Sequence, residues 1–423
     1  MKEKIIHTHR LDYLLIFAYL ILTIIGWISI FASSYDPDKF TKFTLFNLNT
    51  LYGKQLLWIL MSFILAVVIL ILDVKFLVNM AIPFYWLTII LLVLTLVIGT
   101  IIAGNKGWIN LGNGILLQPT EFAKYAVSLV LAYLLNLPAF NLENKKNIYL
   151  LIAIVVLPTF IVLLQNDAGN AVVFISFFFL FYRLGLPAFF FFLFFYAIVL
   201  FFLSLLIKQY VLISIITLLM ILSTILLNKN RKAILKILIS WVFSIVLIVS
   251  TNYVFFHVLK KHQQDRINVL IGREYDERGS AFNIQQSLVA IGSGGLTGKG
   301  FLQGTQTRYN FVPAQATDFI FSAIGEQLGF IGSSFIILLY VLIILRMFNL
   351  AEKQRSTFST VFIYSTAFII FVHVVINIGM TLSLVPVIGI PLPFVSYGGS
   401  SFLAFTLMYF TVIKLNMHKN EVL

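Results

Sequence analysis

A series of long apolar segments separated by short polar connections is the feature that most constrains the fold. Hydrophobic residues make up 60% of the 423 residues and charged residues only 11%, which is too little polar surface to cover a water-soluble globule of this length. Each segment is about long enough to cross ~30 Å of hydrocarbon as a helix. The sequence therefore predicts an all-α, polytopic transmembrane helix bundle. We predict twelve spans, at 12–33, 55–72, 81–102, 119–136, 149–164, 170–184, 187–207, 210–227, 233–258, 319–346, 357–378 and 398–416.

Lysine and arginine are distributed unevenly between the connections. Most of them fall on the side that carries both termini, and only Lys39, Lys42, Lys54, Lys106 and Lys208 fall in short segments on the other. By the positive-inside rule, both termini are cytoplasmic. The net charge of +13 then reflects orientation and contact with anionic headgroups, and not nucleic-acid binding. Cysteine is absent, which excludes disulfides, a thiolate nucleophile and Cys-ligated metals.

The longest polar connection, 259–318, is predicted to lie outside the cytoplasm within a single membrane domain, 1–423. A long loop between compact spans is usually functional or disordered. Its glycine-rich run from Ile291 to Gly300 indicates either a phosphate cradle, with free backbone N–H groups and Lys299 as the cation, or a flexible tether. A nucleotide-binding P-loop is excluded, because Ser293 and Gly300 stand where that motif needs Gly and Ser or Thr.

Asp318 ends this loop and precedes an apolar helix, in Ala316-Thr317-Asp318-Phe319. A carboxylate beside the bilayer is costly, so a functional role is the first interpretation. Aspartate is also favoured at helix N-caps, and capping is the competing explanation.

Other ionisable groups lie within or beside the predicted spans. Glu121 and Lys124 stand at i, i+3 and predict a buried ion pair that fixes helix packing, in preference to a catalytic role. Asp167 lies at a helix junction, where capping of the following helix is preferred to direct catalysis. Glu326 falls two turns beyond Asp318, on roughly the same face. It could line the same cavity or bond a neighbouring helix.

The apolar segment from Pro386 to Ser401 contains three prolines and three glycines and cannot form a regular helix. Irregular backbone at membrane depth is tolerated where it is buried in protein or lines a wet cavity. We therefore expect a re-entrant or outer-face loop beside the active cavity.

Together these motifs resemble one family. The chain is similar to the SEDS proteins, the RodA/FtsW group of cell-wall synthases, and the run from Gly298 to Thr307 looks more like RodA than FtsW. The resemblance rests on Gln118-Pro119-Thr120-Glu121, the Ile291 to Gly300 run, Gly304-Thr305-Gln306, Thr317-Asp318-Phe319-Ile320-Phe321 and the stretch from Gly389 to Ser401.

The resemblance implies a peptidoglycan glycosyltransferase in the bacterial inner membrane, with an extracytoplasmic site, acting in elongation and shape maintenance. Such an enzyme polymerises lipid II onto a nascent glycan strand by inverting β-1,4 transfer and releases undecaprenyl pyrophosphate. Asp318 matches the family's essential acid, and chemistry allows it to act as general base for the acceptor 4-hydroxyl. A class B penicillin-binding protein is the implied partner, alongside membrane lipids.

Further residues are predicted to bind substrate, and a divalent cation, Mg or Mn, is a candidate cofactor with Asp318 as its candidate ligand. The leaving pyrophosphate needs positive charge, which Lys299, Arg266 or the cation could supply. The remaining predicted substrate contacts are Thr317, Gln306, Glu326 and Ser400.

Three alternatives and one departure from the family stay open. A lipid II flippase would use Glu121 and Asp167 as relay or gate groups. A scaffold for a partner synthase would need no particular acid. The division-type polymerase would share the chemistry.

The family usually has ten spans, so the two surplus spans predict an extra transmembrane hairpin within 185–232. We interpret the phenylalanine-rich run Phe189-Phe190-Phe191-Phe192 there as lipid-facing surface.

Overall fold

A computed structural model describes residues 11–35, 47–102, 104–112, 115–185, 187–226, 231–272, 280–309 and 311–422. Lys39, Lys42 and residues 273–279 of the predicted loop lie outside these ranges. The helices are α1 (Tyr13–Ser33), α2 (Leu51–Ile71), α3 (Val74–Asn79), α4 (Ala81–Ile98), α5 (Pro119–Asn136), α6 (Lys145–Leu164), α7 (Ala168–Val173), α8 (Ser176–Arg183), α9 (Ala188–Leu206), α10 (Gln209–Leu226), α11 (Arg231–Tyr253, continued by a π-helical turn, Val254–Val258), α12 (Lys261–Leu270), α13 (Ser280–Ser293), α14 (Thr305–Arg308), α15 (Ile320–Glu352), α16 (Thr357–Thr381) and α17 (Gly399–Met417).

The chain is an all-α polytopic membrane protein, as its hydropathy predicts. Within the described ranges, nine helices are long and apolar enough to cross a membrane. The other three predicted spans coincide with α5, which carries Glu121 and Lys124, with the short pair α7 and α8, and with α9. The total of twelve spans and the position of the extra hairpin stay predictions.

Side-chain caps fix where several helices begin. The Asp12 carboxylate accepts the backbone N–H of Leu15 ahead of α1, and Thr50 and Asn144 cap α2 and α6 in the same way. Pro119 is the first residue of α5, where its missing N–H costs nothing. These starts follow directly from local sequence.

A small antiparallel sheet replaces the end of one predicted span. Its strands are β1 (Thr100–Ile102), β2 (Asn105–Asn110) and β3 (Leu116–Leu117), in that order. The prediction that 81–102 is one helix is therefore wrong at its end, because α4 stops at Ile98. Lys106 Nζ donates to the carbonyl of Leu96 at 2.6 Å, which satisfies a carbonyl group that the end of α4 leaves without a helical partner. Residues 100–102 are β-branched and favour a strand.

Two further predicted spans differ from the structure. The segment 170–184 is not one helix but α7 and α8, separated near Phe174. The span predicted as 319–346 runs to Glu352 as α15, and it is interrupted at Gly329, whose φ of 64° and ψ of −162° are not helical. Only glycine adopts this backbone conformation readily.

The described residues divide into two compact units, 1–180 with 283–423, and 181–282. In the first unit α16 and α17 are largely buried, and they pack against α5, α15 and α2. In the second unit α9, α10 and α11 pack together. Phe189 and Phe192 are exposed there, which agrees with lipid-facing surface, whereas Phe191 is half-buried and stacks on Tyr182. The side chain of Phe190 lies outside the described part of the structure.

Candidate active site

Asp318 lies in the last turn before α15 and is half-buried. The N-cap of α15 is Phe319, which makes no side-chain cap hydrogen bond, so Asp318 lies one residue before the N-cap and is not the cap residue itself. The turn is tight, because the N–H groups of Thr317 and Phe319 both donate to the carbonyl of Ala314, at 3.0 and 3.2 Å. Ala314 has a positive φ of 54°. The carboxylate therefore projects from a constrained turn.

The Asp318 carboxylate packs against the irregular segment that follows α16. A Cβ placed on Gly389, which has a φ of +71°, would lie 3.1 Å from Asp318 Oδ2. A side chain at position 389 would thus be strained by the backbone and crowded by the carboxylate. Residues 382–398 contain no helix, which confirms the predicted irregular backbone. Its central part, Leu392 to Ser396, is buried and the rest is mostly half-buried, and its placement as a re-entrant or outer-face loop stays a prediction.

Three polar contacts tie the Asp318 turn to this irregular segment. The N–H of Tyr397 donates to the carbonyl of Ala316 at 2.8 Å, and Ser396 Oγ donates to the carbonyl of Thr317 at 2.7 Å. From α16, the buried amide of Asn377 donates to the carbonyls of Asp318 at 3.0 Å and Ile390 at 2.8 Å. Asn377 therefore fixes the backbone of the candidate base relative to the segment its carboxylate faces.

The predicted cap at Asp167 is confirmed. Asp167 Oδ1 accepts the N–H of Asn170 at 3.1 Å, and Oδ2 accepts Gln118 Nε2 at 3.0 Å. A Cβ on Gly169, two residues after Asp167, would lie 2.4 Å from the carbonyl oxygen of Ile388. The start of α7 thus packs on the same irregular segment as Asp318.

Ser400 lies beside this cap, and its hydroxyl is used within the protein. Ser400 Oγ accepts the backbone N–H of Gln118 at 3.0 Å and donates to the carbonyl of Leu116 at 3.1 Å. The Thr317 hydroxyl donates to the carbonyl of Ala314. Contact of either side chain with substrate stays a prediction.

The predicted Glu121–Lys124 ion pair is confirmed and fully buried, with Nζ 2.8 Å from Oε2. Lys124 Nζ also lies 2.9 Å from His373 Nε2, and His373 Nδ1 lies 3.1 Å from the carbonyl of Pro391. Since a carbonyl only accepts, Nδ1 carries the proton and Nε2 accepts from Lys124. The ion pair is therefore linked to the irregular segment two residues after Gly389.

Lys299 and Glu326 form a second ion pair, 2.9 Å apart, with Glu326 fully buried. The Glu326 carboxylate also accepts the backbone N–H groups of Gln306 and Thr307, both at 2.9 Å. The sequence left open whether Glu326 lines the cavity of Asp318 or bonds a neighbouring helix. The structure supports neither interpretation in full, because the partners of the Glu326 carboxylate lie in the loop that precedes Asp318. Substrate contacts for Lys299, Gln306 and Glu326 stay predictions.

Neither interpretation of the glycine-rich run survives. The N–H groups of Lys299 and Gly300 donate to the carbonyls of Glu326 and Gln327, at 3.0 and 3.1 Å, so they are not free for a phosphate. A Cβ on Gly298 would lie 2.1 Å from the carbonyl oxygen of Gln327. The glycines allow the backbone to pack directly on α15, and the run is neither a cradle nor a flexible tether.

Arg266 lies on α12 in the second unit, and its role at the leaving group stays a prediction. Among the described residues, no three His, Asp or Glu side chains converge as a metal site. Magnesium is often bound by one or two carboxylates together with substrate phosphates. Asp318 fits that pattern as a protein ligand, and a divalent cation there stays a prediction.

Comparisons with known proteins extend over most of the chain. A model of the FtsW/RodA/SpoVE family, described as "Cell cycle protein", matches residues 12–219 and 188–421. The peptidoglycan glycosyltransferase MrdB of Escherichia coli K12 is 31% identical over 340 residues, which are 79% of this chain and 77% of MrdB. The peptidoglycan glycosyltransferase RodA of Treponema pallidum is 29% identical over 418 residues, 92% of this chain and 94% of that protein.

Two solved structures share the fold. A chain from a study of the structural coordination of polymerization and crosslinking by a peptidoglycan synthase complex superposes with a TM-score of 0.69 at 24% identity, covering 97% of this chain and 99% of that chain. The rod shape determining protein RodA of Thermus thermophilus superposes with a TM-score of 0.62 at 23% identity, covering 97% and 98%.

Proposed function

The chain belongs to the FtsW/RodA/SpoVE family, and we propose that it is a peptidoglycan glycosyltransferase that polymerises lipid II during cell elongation and shape maintenance. Its relatives named MrdB and RodA match more than three quarters of the chain. The observation that carries the chemical proposal is the fixed, half-buried carboxylate of Asp318, which faces the irregular segment at Gly389.

Asp318 acts as the general base in this proposal. Its carboxylate takes the proton from the acceptor GlcNAc 4-hydroxyl as that oxygen bonds to the anomeric carbon of the donor, and the bond to undecaprenyl pyrophosphate breaks. An α-linked donor gives a β-linked product by one inverting displacement, so no covalent glycosyl-enzyme is required. A well-held base is useful here because small misplacements of reacting groups are costly.

The pyrophosphate leaving group requires positive charge near it. Lys299 is a weaker candidate than its position in the sequence indicates, because its ammonium group is compensated by Glu326 at 2.9 Å. Arg266 and a divalent cation at Asp318 remain proposed sources of this charge, and Lys299 serves mainly to hold the loop on α15. A bound cation would supply Lewis-acid stabilisation of the departing phosphate.

Several apolar helices make this a multi-pass membrane protein. We place it in the bacterial inner membrane with both termini cytoplasmic, since basic residues concentrate on the terminal side. Asp318 then lies outside the cytoplasm, where lipid II is consumed. Because a solved relative is described in a complex for polymerization and crosslinking, we propose a class B penicillin-binding protein as partner.

Purified protein in lipid vesicles tests the reaction class. With lipid II as substrate, the proposal predicts glycan strands that are visible by gel and digested by a muramidase. The Asp318→Asn variant should form them at least about 100-fold more slowly. The matched control Asp73→Asn changes a carboxylate that caps α3, and it should polymerise normally. Transfer of labelled lipid II between leaflets without polymer would favour the flippase instead.

A further inference from the structure

A cavity of about 360 Å³ lies at the ends of α1, α15 and α17 that are remote from Asp318. Its polar lining comes from all three helices and their termini. The residues that carry its chemistry are Asp12, Tyr13, Arg346, Lys353, Asn416 and Lys419. The turn after α15 is joined to the end of α17, because the N–H of Arg355 donates to the carbonyl of Lys419 at 3.0 Å. The cavity is thus part of the packed first unit.

The lysines at this cavity differ from its other charged groups. Asp12 is buried and pairs with Arg346, with Nη2 2.8 Å from Oδ2. Lys353 and Lys419 are exposed, and neither ammonium group has a hydrogen-bond or ion-pair partner in the part of the chain that the structure describes. Two cations therefore face the cavity without a directly paired anion among the described residues.

The summed charge favours an anion. Arg346, Lys353 and Lys419 contribute three positive charges against one from Asp12. The carboxyl ends of α15 and α17 lie at the same place, at Lys353 and His418, and each adds roughly half a negative charge. The amino end of α1, which follows Asp12, also lies at the cavity and adds roughly half a positive charge. The cavity therefore keeps a net charge of about +1.5.

The apolar residues at the cavity indicate where the anion comes from. Tyr13 is 64% exposed and Leu14 is 42% exposed, and both line the cavity at the start of the first apolar helix. Tyrosine at the end of a span typically lies at headgroup depth. A soluble phosphate would use the lysines alone, whereas a phospholipid would also cover this apolar surface.

We propose that this cavity binds the headgroup of an anionic phospholipid. Lys353 and Lys419 contact its phosphate, the Asn416 amide lies beside its polar headgroup, and Tyr13 and Leu14 contact the glycerol and upper acyl chain. Basic pockets between helices at the membrane surface are suited to such headgroups. The bound lipid would join the ends of α15 and α17, two helices whose opposite ends flank the Asp318 site.

Native mass spectrometry of the full-length protein in detergent tests this site, with phosphatidylglycerol and phosphatidylcholine offered separately. The double variant Lys353→Gln/Lys419→Gln should lose about 30-fold in phosphatidylglycerol affinity, because each lysine near a lipid surface contributes about 1 kcal/mol. Its phosphatidylcholine binding should change less than threefold. The matched control Lys75→Gln/Lys146→Gln removes the same charge from exposed positions outside the cavity and should keep phosphatidylglycerol binding.

Equal affinity for the two lipids, or equal losses in the two double variants, would overturn the proposal. An added arm with inorganic phosphate separates the two sources of anion. If phosphate binds in a lysine-dependent manner and phosphatidylglycerol shows no preference, the site takes a soluble anion and the lipid proposal is wrong. This binding assay is independent of polymerisation, so its result stands whatever the glycosyltransferase assay gives.

Discussion

Replacement of Asn377 by leucine should disable Asp318 without touching its side chain. The Asn377 amide donates to the carbonyls of Asp318 and Ile390 at 3.0 and 2.8 Å, and the residue is fully buried. Leucine has similar volume but no donor. The two hydrogen bonds contribute about 1 kcal/mol each, and leaving the buried carbonyl of Ile390 without a donor costs about 1 kcal/mol more. The total is about 3 kcal/mol, equivalent to a population shift on the order of 10²-fold.

The assay is steady-state polymerisation of lipid II by purified Asn377→Leu and wild-type protein. Because the lost bonds hold the base and not the substrate, kcat should fall about 100-fold, and KM for lipid II should change less than threefold. The variant Asn377→Gln, which keeps an amide, should recover part of kcat. A purely structural role would lower the amount of folded protein and leave the kcat of the folded fraction unchanged.

Asn136→Leu is the matched control for this prediction. The Asn136 side chain accepts the backbone N–H of Phe358 at 3.1 Å, at the start of α16. Phe358 and Asn377 are 19 residues apart on that helix, which is about 28 Å. The control should lose stability with little change in kcat. If Asn377→Leu folds and polymerises at the wild-type rate, Asn377 does not position the base.

Two further predictions concern packing. Lys124→Met leaves the Glu121 carboxylate buried without its cation and should destabilise the protein by about 3–5 kcal/mol, whereas Lys124→Met/Glu121→Gln should recover most of that loss. Thermal unfolding of the wild type, the single variants Lys124→Met and Glu121→Gln, and the double variant checks this prediction. If the double variant loses as much stability as the two single variants together, the prediction is wrong. Gly298→Ala places a Cβ 2.1 Å from a carbonyl oxygen, whereas Gly295→Ala, also at positive φ, meets open space. Gly295→Ala should lower the free energy of unfolding by about 1–2 kcal/mol through backbone strain alone. Gly298→Ala should lower it by more, because steric overlap with α15 adds to the strain. Equal melting temperatures of the two variants would refute the close packing on α15.

Hydropathy predicted most of the helices because apolar length is a local property of the sequence. It failed where a helix end depends on distant partners. The helix predicted over 81–102 ends at Ile98, since Lys106 returns to bond the Leu96 carbonyl, and α15 breaks at Gly329 against the backbone of residues 296–298. Neither contact can be derived from the periodicity of the segment itself.

The candidate site was predicted in part. Asp318, the Asp167 cap and the Glu121–Lys124 pair follow from residue type and spacing, and the contacts are those expected of ionisable groups beside or within a membrane. Asn377 was missed, although an amide inside an apolar span is itself a signal of a buried polar contact. The glycine-rich run was misinterpreted, because glycine composition does not distinguish an anion site from close backbone packing.

His373 was also missed, although it lies four residues before Asn377 on α16. Residues with this spacing share one helix face. His373 connects Lys124 to the carbonyl of Pro391, and Asn377 connects Asp318 to the carbonyl of Ile390. One face of α16 thus joins the buried ion pair to the candidate base through the irregular segment, and only the fold reveals this connection.

The rate of lipid II polymerisation by Asp318→Asn tests the central claim most directly. Asparagine keeps the shape of the side chain against Gly389 but cannot accept the acceptor proton. Loss of a general base typically costs 10²–10⁴-fold, so kcat should fall by at least about 100-fold while the melting temperature and the affinity for lipid II stay close to those of the wild type. A folded Asp318→Asn protein that polymerises lipid II within threefold of the wild-type rate would contradict the assignment of Asp318 as the catalytic base.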